Sequence, residues 1–168
     1  GDTLSAQNVS WVWYSGGWNE ALKDGMRPPS EKRAVIYTRA EGSLNFQPHH
    51  QPFNYYARFA PGTKDRADHL KDGSDFVRAI ESGTLPQVSF YKPAGVFTEH
   101  PAYTDIMSGD AHIADLVEKL SKSPQWNDMV VIVTYDENGG FWDHAKRERG
   151  AGWSDRWGPG SRIPALVI

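Results

Sequence analysis

The 168-residue sequence contains no cysteine, which excludes a disulfide framework and any thiol chemistry. It also lacks an apolar run near the roughly 18 residues that a membrane span requires. The net charge is −3 with histidine neutral, and no stripe of lysine and arginine stands out. The composition therefore indicates neither a transmembrane segment nor a nucleic-acid-binding surface.

Several motifs with well-understood chemistry are missing as well. The chain has no HExxH zinc-protease motif, no GxSxG nucleophile elbow, no GxxxxGK[ST] phosphate loop and no GxGxxG dinucleotide loop. None of its serines and threonines has a local sequence that marks it as a nucleophile. Acids and histidines are therefore the candidates for chemistry.

What is present suffices for one core of ordinary size, since 39% of the residues are hydrophobic and 12% aromatic. The chain opens at Gly1 without an initiator Met or a signal segment. It stops inside an apolar, strand-like run, Ile163–Ile168. Because terminal strands need neighbours, we expect residues 1–168 to be a single partial domain of a longer protein.

The order of the predicted elements is typical of an α/β fold with a largely parallel sheet. Strands are predicted at Val9–Tyr14, at Val88–Tyr91, at Val130–Tyr135 and from Ile163 onwards. A short helix is predicted at Glu20–Asp24, and a second helix is predicted between an N-cap at Ser74 and a C-cap at Gly83. A third helix is predicted to start at Asp110 and to end at Pro124. The run at 130–135 has no polar alternation, so we expect a strand covered on both faces. In such sheets, ligands bind beyond the carboxyl ends of the strands.

Two adjacent acids, Asp136 and Glu137, follow the apolar strand directly, and Gly139 and Gly140 then allow a tight turn. Hard oxygen ligands of this kind hold divalent cations, so one interpretation is a metal or phosphoryl site. The other is a polar turn that ends the strand. Spacing alone leaves the two interpretations equally open.

A long, irregular, aromatic-rich region covers residues 40–70 and contains the adjacent pair His49 and His50 between two prolines. In an extended segment, neighbouring side chains face opposite ways, so one imidazole can enter a site while the other braces it. N–H-donating imidazoles stabilise phosphoryl oxygens. A packed, hydrogen-bonded pair is the alternative, and the sequence does not decide between them.

The other histidines differ in promise. His100 follows the strand at 88–91, and the sheet rule predicts that it can reach the edge occupied by Asp136, although a lone loop histidine is more often a surface or packing residue. We expect His69 and His112 to lie at the surface. His144, close behind the acidic turn, is a candidate for bracing a ligand.

Motifs occurring in order along the chain resemble a known family. They are Asn45–Phe53, Thr98–Pro101, Tyr135–His144 and Asp155–Pro164, and the opening Gly1–Trp13 also looks like a family segment. Each motif alone is weak, but their order makes the signal strong. Together they resemble the bacterial phosphoesterase family that joins secreted acid phosphatases with non-haemolytic-type phospholipases C.

The resemblance implies a three-layer, alkaline-phosphatase-like α/β/α fold and hydrolysis of phosphate esters by a Ser or Thr nucleophile with a bound divalent metal ion. It matches Asp136 and Glu137 to metal-site acids, and His49, His50 and His100 to catalytic histidines around the phosphate. It also implies a periplasmic or secreted protein.

Departures from the family pattern matter too. The resemblance implies that the family's nucleophile and an acid–amide metal pair lie in an N-terminal portion and that further elements follow the last strand, and we expect both parts to lie outside this chain. Residues 145–152 are more charged than the corresponding family stretch. We therefore expect an incomplete metal site in this polypeptide, with the remainder of the protein supplying other ligands.

The leading hypothesis is an acid-phosphatase-like phosphoesterase, and the nearest alternative is a phospholipase C cleaving phosphodiester lipids. An alternative of another class is a non-catalytic binding or structural fragment that presents tryptophans to a sugar or lipid. The chain has seven tryptophans, for which buried packing is the competing explanation.

Overall fold

The computed structural model describes residues 1–145 and 160–168, which divide into two compact units, Gly1–Asn127 and Asp128–Ile168. The helices are α1 (Asp2–Ala6), α2 (Trp18–Gly25), α3 (Lys64–His69), α4 (Gly73–Ser82) and α5 (Ile106–Ser121). The strands are β1 (Trp11–Ser15), β2 (Leu70–Asp72), β3 (Val88–Lys92), β4 (Ile132–Thr134) and β5 (Ala165–Val167).

A parallel three-stranded sheet in the order β2-β1-β3 forms the centre of the first unit. Trp11 on one face of β1 packs against Phe59 and stacks on His69 of α3, while Tyr14 on the other face packs against Phe76 of α4. Helices thus cover both faces of β1, and the predicted α/β class with a parallel sheet and three layers is confirmed in this unit. The sequence did not predict β2.

Helix α4 begins two residues earlier than predicted, because its N-cap is Asp72 and not Ser74. The Asp72 carboxylate accepts a hydrogen bond from the Ser74 backbone N–H at 2.8 Å, and the Asp75 carboxylate accepts one from the Asp72 N–H at 3.0 Å. This reciprocal arrangement satisfies two backbone donors that the helix itself leaves unpaired. The predicted C-cap, Gly83, is confirmed by its left-handed backbone, with φ of 65°.

Helix α5 begins a full turn before the predicted start at Asp110. Asp105 caps it by accepting a hydrogen bond from the Ser108 backbone N–H at 2.8 Å. Leu116 and Leu120 of the predicted apolar stripe are buried. The apolar stripe therefore predicted the buried face of the helix correctly. The start of the helix was predicted too late because the residues of its first turn are not part of this stripe.

The region predicted to be irregular, residues 40–70, contains more structure than expected. Short 3₁₀ turns occupy Pro48–His50, Pro52–Tyr55 and Ala57–Phe59, with further ones at Gly95–Phe97 and Trp126–Asp128. Helix α3 and the start of β2 complete the region. Proline at the first position of two of these turns fixes the backbone angle that a turn needs.

The second unit contains an antiparallel pair, β4 and β5. The prediction that the run at 130–135 is covered on both faces is wrong, since Ile132 is 65% exposed and Val167, its register partner in β5, is 72% exposed. A two-stranded sheet has no layer of its own to cover either face. In residues 1–145 and 160–168, no helix combines the length and apolar character that a membrane crossing needs.

Candidate functional site

The carboxyl ends of the three parallel strands lie side by side, at Ser15, Asp72 and Lys92. Backbone segments approach each other closely here. A Cβ on Gly16 would lie 2.4 Å from the Ala94 nitrogen, and one on Gly95 would lie 2.0 Å from the Asn45 carbonyl oxygen. Glycine is therefore required at these two positions, and the segment that begins at Asn45 is fixed against the strand ends.

The predicted site residue His50 is anchored at this edge through its backbone. Its carbonyl oxygen accepts hydrogen bonds from the Ser15 hydroxyl and from the Trp13 indole N–H, each at 2.8 Å. Since Ser15 is fully buried, its bond forms away from water and holds the segment firmly. Sequence reasoning missed Ser15, whose signal was a hydroxyl at the carboxyl end of a buried strand.

Amide side chains surround the anchored histidine. The Gln47 side-chain amide donates to Asn45 Oδ1 at 3.0 Å, and both residues are buried. Gln51 is completely buried. Asn45–Gln51, which we call the amide–histidine segment, therefore places a cluster of buried polar groups at the sheet edge where ligands of such folds bind.

His49 and His50 differ in exposure. His50 is buried and His49 is exposed, with their rings edge to face at 4.7 Å between centroids. This difference in exposure agrees with the prediction that the two imidazoles face opposite ways. The predicted extended backbone is wrong, because the residues form a 3₁₀ turn initiated by Pro48.

His100 lies in the first unit too, on the loop that follows β3 and the Gly95–Phe97 turn. It is exposed and stacks on Tyr103 at 4.4 Å between centroids. Its Nδ1 lies 2.7 Å from the Pro101 carbonyl oxygen, which can only accept a hydrogen bond. Nδ1 therefore carries the proton in the neutral ring, and Nε2 is the atom able to accept one.

Asp136 and Glu137 lie in the second unit and are exposed. Glu137 accepts a hydrogen bond from the Gly139 backbone N–H at 2.8 Å, and Gly139 and Gly140 have φ of 63° and 79°. The glycines make the tight turn that the sequence indicated. Since the histidines belong to the first unit, their approach to these acids stays a prediction.

The described residues alone do not fit a metal ion. In residues 1–145 and 160–168, no group of three or more histidine, aspartate or glutamate side chains is arranged to hold one. Two adjacent exposed carboxylates, one of them bonded to its own turn, give fewer ligands than a divalent cation takes. No step of the chemistry below is therefore assigned to a metal.

A different carboxylate organises the second unit. Asp143 pairs with the Arg162 guanidinium at 2.8 Å and accepts hydrogen bonds from the Arg162 and Ala145 backbone N–H groups, each at 2.9 Å. Arg162 holds the pKa of Asp143 well below its usual range. This pair, which sequence reasoning missed, joins the segment after the acidic turn to the segment before β5. His144 beside it is exposed.

Two histidines expected at the surface are structural. His69 stacks on Trp11 with ring centroids 4.0 Å apart, and its Nδ1 bonds the Trp11 carbonyl oxygen at 2.8 Å. His112 is half-buried and shares a hydrogen bond of 2.8 Å with the Tyr91 hydroxyl. The expectation failed for His69 because α3 lies against β1, which the charged local sequence does not show.

The tryptophans give little support to a sugar- or lipid-contacting face. Trp11 and Trp18 are buried, Trp13 and Trp126 are half-buried, and Trp142 is 85% exposed. Trp153 and Trp157 lie outside the described residues, as does the first half of the motif Asp155–Pro164. In the described part of the chain, tryptophan serves mainly as packing.

The sequence model of the Phosphoesterase family matches residues 1–168. The chain belongs to the Phosphoesterase family.

Individual relatives are phospholipases C by name. The chain is 44% identical to "Non-specific phospholipase C1" of Arabidopsis thaliana over 141 residues, covering 77% of this chain and 26% of that protein. It is 46% identical to "Non-specific phospholipase C4" of the same plant over 110 residues, covering 55% and 20%. "Phospholipase C B" of Mycobacterium tuberculosis is 39% identical over 71 residues, covering 42% and 13%. The chain spans about a quarter or less of the length of these relatives.

Proposed function

We propose that the protein containing this chain hydrolyses phosphate esters. The observation that carries the proposal is the Phosphoesterase family match along all of residues 1–168. The position of the amide–histidine segment at the carboxyl ends of parallel strands supports it, because ligands of α/β sheets bind there.

In this proposal the histidines act on the phosphoryl group. His49 and His50 donate N–H groups to phosphoryl oxygens and offset the charge that develops during in-line attack. His100 moves a proton at the leaving oxygen through Nε2, since its Nδ1 is bonded to the Pro101 carbonyl. The nucleophile is a Ser or Thr hydroxyl from outside this chain. Ser15 is not proposed for this role, because its hydroxyl is buried and donates to His50.

We further propose that Asp136 and Glu137 contribute carboxylates to a divalent cation whose other ligands come from outside the described residues. The support is their position directly after an apolar strand and their exposure, which leaves oxygens accessible. Titration of the whole metal-free protein with a divalent ion should show binding that Asp136→Asn weakens at least tenfold. Equal affinity in the variant would remove Asp136 from the site.

Two substrate classes fit the proposal. An acid-phosphatase-like activity on phosphomonoesters is the broader one. A phospholipase C activity on phosphodiester lipids is favoured by the names of the relatives, the longest match among those quoted covering 77% of this chain. The residues near the described histidines do not discriminate between the two.

The test is hydrolysis by the whole protein of a phosphomonoester and of phosphatidylcholine in vesicles. A turnover rate on either substrate that exceeds the rate of a His100→Ala, His50→Ala double variant supports the proposed function. The substrate that is hydrolysed faster then decides between the phosphatase and the phospholipase C activity. Absence of turnover on both, in folded protein supplied with divalent metal, would favour the non-catalytic binding or structural alternative.

We propose a periplasmic or secreted location, supported by the resemblance of the motifs to those of exported phosphatases. Cell fractionation of the native host, with detection of the whole protein, tests it. Recovery in the cytosolic fraction alone would contradict the proposal.

A further inference from the structure

The loop that carries His100 runs from Ala94 to Thr104, directly before α5. Hydrogen bonds within it fix its shape: the Thr104 hydroxyl donates to the Val96 carbonyl at 2.7 Å, and the Thr98 hydroxyl donates to the Gly95 carbonyl at 2.9 Å. These bonds shape the loop from within. Its first residues, Ala94 and Gly95, approach Gly16 and Asn45 closely, and α5 makes two further contacts with the part of the loop that precedes His100.

The first contact is between Glu99 and Gly109. A Cβ on Gly109 would lie 2.2 Å from Glu99 Cγ and 2.7 Å from Glu99 Oε1, so the glutamate side chain lies directly on the helix surface. Glycine inside a helix is less favourable than alanine, and its presence here is explained by this contact. Glu99, which precedes His100, has a left-handed backbone with φ of 60° that needs such support.

The second contact lies one turn further along the same face of α5. The His112 ring stacks on Phe97 of the loop, with centroids 4.6 Å apart and planes 10° from parallel. Its Nε2 shares the hydrogen bond of 2.8 Å with the Tyr91 hydroxyl of β3. His112 therefore joins the helix, the loop and the strand that precedes the loop.

The protonation states of His112 and Tyr91 favour the hydrogen bond between them near neutral pH. Burial lowers the pKa of His112, the nearby Asp115 and Lys119 acting in opposite senses on it. Burial also raises the pKa of Tyr91, with Asp72 adding to the effect. A neutral imidazole beside a protonated phenol makes a hydrogen bond without an unpaired buried charge.

We infer that Gly109 and His112 of α5 are positioning residues, which hold the 94–104 loop so that His100 is presented at a fixed place. The inference rests on the proposed function in one respect, since it takes His100 to act on the substrate. Neither residue touches the substrate in this account.

The experiment combines hydrogen exchange with kinetics in the whole protein. Gly109→Ala displaces Glu99 without removing any side chain. His112→Ala removes both the stack and the hydrogen bond, whereas His112→Phe keeps an aromatic ring for Phe97 and loses the bond to Tyr91. Asp110→Ala, at an exposed position of the same helix, is the matched control.

We expect backbone amides of residues 94–104 to exchange about tenfold faster in Gly109→Ala and His112→Ala, and about threefold faster in His112→Phe, than in the parent. Amides of residues 113–121 should exchange as in the parent. The kcat should fall about tenfold with KM within twofold, because a misplaced proton donor affects the chemical step more than binding. Asp110→Ala should change none of these.

Unchanged loop exchange in both alanine variants would overturn the inference. So would faster loop exchange without a fall in kcat, if His100→Ala in parallel lowers kcat strongly. If His100→Ala itself leaves kcat unchanged, the proposed role of His100 fails instead, and loop exchange alone then decides whether α5 holds the loop.

Discussion

The amide–histidine segment and the acidic turn Asp136–Gly140 both carry predicted site residues, but they differ in how far their hydrogen bonds reach along the sequence. The segment is attached to distant residues, through Ser15, Trp13 and the close approach of Gly95. In the acidic turn, the Glu137 carboxylate and the Asn138 amide oxygen accept hydrogen bonds from the Gly139 and Gly140 backbone N–H groups, and the Asn138 side-chain nitrogen donates to the more distant Ser161 hydroxyl at 3.1 Å. The buried segment thus depends on the fold around it more than the exposed turn does, since much of the turn follows from its own sequence.

The largest loss of stability is expected from a substitution at Gly95, where the amide–histidine segment is fixed. In Gly95→Ala the new methyl group meets the Asn45 carbonyl oxygen at 2.0 Å, and backbone cannot move aside cheaply. We expect a loss of about 3 kcal/mol or more in the free energy of unfolding, measured by denaturant titration. Gly25→Ala, whose Cβ would lie 3.9 Å from Ile36, is the control. Equal stability of the two variants would show that the segment is not fixed at Gly95.

The next largest effect is expected from Asp24→Asn, and its size should depend on pH. Burial alone would raise the pKa of Asp24, but backbone N–H groups of Ala34, Ile36 and Val35 and the Arg27 charge together lower it from 3.8 to about 2. Val35, which is held by Asp24, supports the amide–histidine segment in turn, since the Phe46 N–H donates to the Val35 carbonyl at 2.8 Å.

Because the carboxylate is favoured in the folded state, its contribution to stability is complete above pH 3.8 and disappears as the pH falls towards 2. The difference in unfolding free energy between the parent and Asp24→Asn should therefore shrink over this interval. A difference independent of pH between 5 and 2 would contradict the assignment.

A smaller effect is expected from Ser15→Ala. The His50 carbonyl then loses one of two donors and keeps the Trp13 indole. We expect a loss of about 1 kcal/mol in unfolding free energy. Ser121→Ala, at an exposed site whose hydroxyl bonds within its own helix, should lose less. An unchanged stability in Ser15→Ala would mean that the segment is held without this bond.

The smallest effect is expected from Glu137→Gln, because the amide oxygen can still accept the Gly139 N–H. The change in unfolding free energy should be within about 0.5 kcal/mol. A loss above about 1 kcal/mol would show that the acidic turn also depends on distant contacts, and the contrast with the segment would then fail.

Much of the first unit could be predicted, because β1, β3 and the buried face of α5 follow from local patterns. The N-caps Asp72 and Asp105 were missed because a cap is defined by a side-chain hydrogen bond that several nearby polar residues could make. Strand β2 was missed because a three-residue strand, Leu70–Asp72, has no periodicity to detect.

The candidate site was predictable in part. Motifs predict His50 and His100 as site residues, and this stays a prediction, whereas the roles of Ser15 and Gly95 in holding the segment depend on contacts with residues 35 and 50 positions away in sequence. His112 was misassigned to the surface since its partners, Tyr91 and Phe97, come from a strand and a loop that the helical pattern cannot show. Long-range contacts of this kind are set by topology.

The most direct test of the central claim is the kcat of the whole protein with His100→Ala, on whichever phosphate ester the parent turns over faster. We predict a fall of about 100-fold or more, as for the loss of a general acid or base, with the unfolding free energy within about 0.5 kcal/mol of the parent. A kcat within twofold of the parent in a folded variant would contradict it.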